Sequence, residues 1–326
     1  MRYGSQHQTA VDKIAAGAGG CVLWLLRDKG EIGMDRIIEV TAGKGGNAYL
    51  LMGDKKTALL ECGMAYCGAA LIGNIRQILQ QKPLDYILIT HSHYDHVGAL
   101  PYIKKEWPGL KVLGAEYARK VFQSRTALKT IKQLSRQAAK HFHAGDIEEY
   151  DDALMKLDHS ISDGDVLDLG GLRIKVIETL GHTKCSLSFL INNDILFASE
   201  STGYMNMTGE ITPCFLTSCS EAIKSIKKCQ AINPRFIIPS HLRLTDKCDT
   251  FNYWEKCLAA VEEAKTFILQ LADQGYEETQ IFTEFENRFR DEQSKRGQPN
   301  AAYRINLHTM VKTVLREAAP ELSLAQ

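Results

Sequence analysis

The chain has 326 residues, of which 44 % are apolar, 8 % aromatic and 24 % charged. Its 39 basic and 39 acidic side chains cancel to a formal net charge of zero, which argues against a protein whose affinity comes from neutralising many nucleic-acid phosphates. The same composition excludes wholesale disorder and a polytopic membrane protein, and the length supports a large core.

Nine scattered cysteines, odd in number and without a CxxC pair, read as reduced thiols in a cytoplasmic protein. The apolar stretch 14–26 is too short to span a bilayer, and Arg27-Asp28-Lys29 follows it where a cleavage site would need small residues. Residues 1–33 are therefore expected to be a poorly ordered extension, or an over-called start upstream of Met34, that contributes no chemistry. From Met34 onward, short apolar runs at 36–40, 47–52 and 57–60, separated by glycines, predict a strand meander. Leu71, Ile75, Ile78 and Leu79 predict a helix over 68–81, which Pro83 stops. The continuous apolar run 86–90 predicts a buried strand. A second helix from about Val97, a strand at 111–113 and one long helix over 115–142 follow. Hairpins are expected over 166–179 and 186–198, with Gly170-Gly171 and Asn192-Asn193-Asp194 at their turns. Beyond the run Phe236 to His241 the pattern turns helical: Cys257, Val261, Ala264, Ile268 and Leu271 make one stripe, Ile281, Phe282, Phe285 and Phe289 a second, and Leu307, Val311 and Val314 a third. The expected organisation is an α/β domain over 34–245 and a helical C-terminal lid over 246–326.

The chemistry is concentrated directly after the buried strand, in His91-Ser92-His93-Tyr94-Asp95-His96. Histidines at i and i+2 of an extended segment point to one side, and Asp95 and His96 turn toward an adjacent position as a helix begins. Ser92 and Tyr94 are expected to pack or to hydrogen-bond.

Thr90-His91-x-His93-x-Asp95-His96-x-Gly98 resembles the signature of the metallo-β-lactamase superfamily. Three further runs resemble that family's motifs in the same order: Gly181-His182-Thr183, Leu196-Phe197-Ala198-Ser199-Glu200, and Phe236-Ile237-Ile238-Pro239-Ser240-His241. The resemblance implies the αβ/βα four-layer sandwich of that superfamily, here with a C-terminal helical extension. It implies one divalent metal held by His91, His93 and His182, and a second held by Asp95, His96 and His241. Glu200 stands where the family usually has a bridging aspartate, and Ser199 where it usually has glycine; the retained carboxylate is one methylene longer. Asp95 would also orient a metal-activated hydroxide. Zinc is the expected pair of ions, with iron or manganese as alternatives for mixed imidazole and carboxylate ligation. Thr90 and Thr183 flank ligands and are candidates to support them, whereas Cys185 is assigned to packing.

Within the superfamily, residues 35–320 look most like the quinolone-signal-biosynthesis thioesterase group, in which a helical tail narrows access to the metals. That resemblance implies hydrolysis of an ester or thioester of a small acyl substrate, with a glyoxalase-II-like thioesterase or a phosphodiesterase as rivals. A metal-bound regulatory protein with incidental activity is the rival from another class. No nucleic-acid or membrane partner is expected, and the C-terminal helices offer a surface for a homodimer or another protein. The zero net charge is itself a sum of opposed blocks. Seven bases and no acid occupy 117–145, and nine acids against Lys156 occupy 146–168. A self-paired surface helix explains this, as does a basic helix bordering the metal cleft.

Overall fold

A computed structural model of the chain describes residues 10–14, 23–27, 36–206, 208–241 and 252–322. Strands β1 (Ala10–Ile14), β2 (Leu23–Arg27), β3 (Ile37–Glu39), β4 (Tyr49–Met52) and β5 (Thr57–Leu60) pair as successive antiparallel neighbours. Helix α1 (Gly68–Leu79) then leads to β6 (Tyr86–Leu88), and α2 (Tyr94–Val97) with α3 (Leu100–Glu106) leads to β7 (Lys111–Gly114). Helices α4 (Glu116–Gln123) and α5 (Arg125–His141) lead to β8 (His159–Ser160), so that β5 to β8 run parallel at the far side of one eight-stranded sheet. Helical crossovers are what parallel neighbours require.

The second sheet begins with the hairpins β9 (Val166–Asp168) to β10 (Arg173–Glu178) and β11 (Leu187–Ile191) to β12 (Ile195–Phe197). Asn192 and Asn193 both have positive φ, at 49° and 60°, the conformation that a two-residue turn of matching twist demands. A small ribbon of β13 (Tyr204–Met205) and β14 (Ile211–Thr212) precedes α6 (Cys219–Ile232), and β15 (Phe236–Ile238) returns parallel to β12. The chain ends in α7 (Tyr253–Asp273), α8 (Glu278–Phe289), α9 (Glu292–Gly297) and α10 (Asn300–Leu322).

Three buried clusters define the layers. Leu50, Leu59, Ile87 and Val112 face Leu71, Ile75, Ile103 and Ile131 on the helices that cover the first sheet. The alternate residues of those strands, Tyr49, Leu51, Leu60 and Leu88, face Val176, Leu187, Phe189 and Phe197 of the second sheet. Leu190 and Leu196, on that sheet's outer side, pack under Ile226 of α6 and, with it, against Val261 and Ile268 of α7. The period of two along each strand thus serves two cores at once, and the order helix, sheet, sheet, helix is the expected αβ/βα sandwich.

Three local features differ from the sequence pattern. Strands β1 and β2 lie inside the segment 1–33 expected as a loose extension; β2 pairs Trp24 with Glu39 and Leu25 with Ile38, which extends the sheet past β3. An open strand edge presents unpaired backbone groups that such a hairpin satisfies. The other residues of that segment lie outside the described residues. The single helix expected over 115–142 is two, because Ser124 takes an extended conformation and its Oγ accepts the Ala127 N–H at 3.3 Å, starting a new helix. The ribbon β13–β14 has no counterpart among the expected elements.

Candidate metal centre

All seven candidate ligands stand beyond strand ends on one edge of the sandwich. His91 follows β6, His93 is the extended residue before α2, and Asp95 and His96 lie in that helix's single turn. His182 lies between β10 and β11, Glu200 opens a short 3-10 turn after β12, and His241 follows β15. Open α/β sheets place their ligands at this edge, outside the carboxyl ends of parallel strands.

The side chains form two groups. His182 Nε2 lies 3.2 Å from His91 Nε2 and 3.0 Å from His93 Nδ1. Burial keeps all three rings neutral: it pushes His91 well below the usual histidine range, lowers His93, and takes His182 to about 3. The His182 Nδ1–H donates to the Cys214 carbonyl at 2.7 Å, which leaves the Nε2 lone pair facing the other two rings. Three neutral imidazoles converging in this way are able to hold a divalent cation.

Asp95, His96, Glu200 and His241 make the second group. Glu200 Oε1 lies 2.6 Å from His96 Nε2 and 2.8 Å from His241 Nε2, and Asp95 Oδ2 lies 3.8 and 3.6 Å from the same two nitrogens. Burial opposes charge on His96, but Glu61, Asp95 and Glu200 outweigh it and raise the imidazole well above its usual value. Glu200 outweighs burial in the same way at His241. Burial likewise opposes the Glu200 carboxylate, yet His182 and His241 hold it well below the normal carboxylate range. A divalent cation held here would supply the positive charge that these carboxylates favour, in competition with protons on the two rings. The nitrogen and oxygen donors of both groups fit divalent transition ions.

Glu200 also joins the groups. Its Oε2 is 3.3 Å from His182 Nε2 while Oε1 faces His96 and His241. The extra methylene thus leaves the carboxylate between both sets. The Cys214 thiol belongs to a third grouping with His182 and Glu200, whose ligand atoms lie within 4.8 Å of one another.

Sequence reasoning did not single out Glu61. This buried carboxylate ends β5 in the left-handed region, with φ 65°. Its Oε1 accepts the Thr90 N–H at 2.6 Å and its Oε2 accepts from His96 Nδ1. The available signal was a charge directly after the apolar run Ala58-Leu59-Leu60 and before Cys62-Gly63. Thr90 does contact a ligand, through Oγ1 and His91 Nδ1 at 3.0 Å, whereas the Thr183 hydroxyl pairs with Ser186 at 2.7 Å and with the buried Cys185 thiol at 3.3 Å.

A cavity of about 520 Å³ opens over His93, Asp95, Glu200 and His241. Leu134 and Phe142 line one part of it, and Ala302 and Ile305 of α10 another. Helix α5 reaches the cavity through Thr130 and Leu134. Two of its five Lys and Arg side chains are spent locally: Lys132 pairs with Asp152 at 2.8 Å and Arg136 pairs with Glu149.

Two facing sheets with paired imidazole and carboxylate groups on a shared edge define a metal-binding α/β protein of the sandwich type. The chain belongs to the metallo-β-lactamase superfamily, whose family model matches residues 41–241. It is 29 % identical over 165 residues to a metallo-beta-lactamase fold-containing protein of Sulfurisphaera tokodaii, covering 48 % of this chain and 58 % of that one. It is 32 % identical over 115 residues to a hydroxyacylglutathione hydrolase of Xylella fastidiosa, covering 35 % of this chain and 31 % of that one. The chain therefore spans less than two thirds of these relatives' lengths. A metallo-beta-lactamase family protein of Thermus thermophilus shares the fold, with a TM-score of 0.58 at 16 % identity over 87 % of this chain and 94 % of its own. No helix among the described residues is long and apolar enough to cross a membrane.

Proposed function

We propose that this chain is a hydrolase that uses two divalent cations, zinc foremost, to cleave an ester or thioester of a small acyl substrate. The observation that carries this reading is the Glu200 carboxylate, with one oxygen toward His182 and the other toward His96 and His241. Bound there, the cations would lower the pKa of a water to supply hydroxide near neutral pH and would polarise the acyl carbonyl. His91, His93 and His182 would hold one cation; Asp95, His96 and His241 the other, with Glu200 shared. Asp95, on the cavity floor, would accept a hydrogen bond from the attacking water and so orient it. The apolar walls from Leu134, Phe142, Ala302 and Ile305 would seat the acyl substituent and limit bulk water. Relatives named hydroxyacylglutathione hydrolase favour a thioester, and the helical roof suits the nearer likeness to the quinolone-signal thioesterase group. A cytoplasmic location is in keeping with the free thiols of the described cysteines.

The test is a panel of esters, lactones, thioesters and phosphodiesters given to metal-loaded protein, with His93→Ala and Asp95→Asn as controls. Acyl-bond cleavage lost in both variants supports the reading. Cleavage confined to phosphodiesters, or an intact panel with a fully metallated site, overturns it.

A further inference from the structure

Among the described residues, apart from the metal-facing Asp95 and Glu200 and the histidines, the charged side chains lining the cavity are Lys44 and Arg296. Both are exposed, and among the described residues neither is in an ion pair. Glu292, on the same helix as Arg296, is taken by Lys295 at 2.7 Å, while Arg296 Nε donates to the Glu292 backbone carbonyl at 3.2 Å. The backbone beneath each cation is pinned. Tyr66 Oη donates to the Lys44 carbonyl at 2.6 Å, and the neighbouring Gly45, at φ +91°, sits so close that a Cβ would lie 2.3 Å from Met64 Cε and 3.1 Å from the Phe142 ring. His141 Nε2 contacts the Arg296 carbonyl at 3.1 Å, tying the end of α9 to α5. Ile305, another residue of the same cavity, keeps half its surface exposed.

We propose that Lys44 and Arg296 form a cationic rim that selects substrates whose non-reacting end carries a carboxylate. This rests on the acyl-hydrolase reading and specifies the substrate class: the mono(thio)ester of a dicarboxylic acid. The acyl carbon lies at the metal groups, apolar methylenes lie against Leu134 and Phe142, and the free carboxylate reaches the rim. Solvent-facing cations act by attraction and orientation rather than by deep burial, so the effect is moderate and salt-sensitive. The basic helix expected from the sequence to steer an anion spends Arg119, Lys132 and Arg136 on neighbouring acids; these two cations come from the loop after β3 and from α9.

Calorimetry on zinc-loaded protein decides the matter with glutarate, adipate and suberate, the product acids of such substrates, each against the monocarboxylate of the same chain length (pentanoate, hexanoate and octanoate), which has no second carboxylate for the rim and no bond to cleave. The best diacid is expected to bind about tenfold more tightly than its monocarboxylate at low salt. The double variant Lys44→Glu/Arg296→Glu is expected to erase that preference, and Lys44→Arg/Arg296→Lys to keep it. Equal binding of diacid and monocarboxylate, or a preference untouched by charge reversal in a variant with wild-type Tm, overturns the rim. The matching thioesters are assayed in parallel. If wild-type protein cleaves none of them, the hydrolase reading fails while the binding result still decides the rim.

Discussion

Glu61 and His96 are joined through the imidazole Nδ1, across 35 residues of chain. The contact fixes which nitrogen carries the proton, so that Nε2 faces Glu200 and the second ligand group. The other Glu61 oxygen is occupied by the Thr90 N–H. Glutamine has one acceptor oxygen for these two donors, so Glu61→Gln strands one of them. Its expected effect is a 10- to 100-fold loss of metal affinity with the fold retained, read by competition with a chromophoric chelator.

Glu200 stands between the groups and each oxygen has its own neighbours. Glu200→Gln removes the charge and one acceptor. Metal analysis should fall from two ions per chain toward one, and Glu200→Asp should recover part of the loss. Two ions retained by Glu200→Gln would refute the shared-carboxylate role.

Acid stability has an identifiable contributor far from the metals. Lys104, 5 % exposed, pairs with Asp158 at 2.6 Å, and the same Asp158 oxygen accepts the Val112 N–H at 2.9 Å. Burial works against the Asp158 charge, but the Lys104 and Val112 hydrogen bonds prevail and lower its pKa from 3.8. A carboxyl whose folded pKa is depressed adds stability above its unfolded value and loses it as pH falls through the folded one. Asp158→Asn should therefore cost about 3 kcal/mol at pH 7, and the cost should shrink below about pH 3.8. Urea melts at pH 7 and pH 3 measure the difference.

Gly181 holds φ +127°, and a Cβ there would lie 2.6 Å from the Ala222 backbone N and Cα. Neither contact can yield, because Ala222 is a fully buried residue of α6. Gly181→Ala should cost about 2 to 3 kcal/mol and shift its neighbour His182. The expected readout is a lower Tm together with weaker metal binding. Unchanged metal affinity would show that His182 does not depend on this packing.

Much of this protein was legible in the chain itself wherever the determinant is local. His91, His93, Asp95 and His96 are close in sequence and follow a recognisable strand, so their common direction follows from backbone geometry alone. The Asn192-Asn193 turn and the apolar stripe of α7 are of the same kind: each is set by residues within one turn or one helix. The break at Ser124 was harder to see, since a serine within an amphipathic run continues or restarts a helix according to small differences in capping energy.

What only the tertiary structure decided are the relationships between distant segments. The sequence by itself determined the alternating strands, the helical tail and, through the family resemblance, the candidate ligands. It carried no sign that Glu61 orients His96, and the place of Glu200 and of the helical lid came only from the family resemblance, without the contacts that seat them. The opposed charge blocks suggested a helix paired with the loop after it, but which bases pair, Lys132 and Arg136, and that Lys44 and Arg296 line one cavity, were decided by the tertiary structure. Periodicity reports which face of an element is buried but not what lies against it. The facing partner is chosen when two sheets and their helices close on a common core, and that choice turned separate motifs into one site.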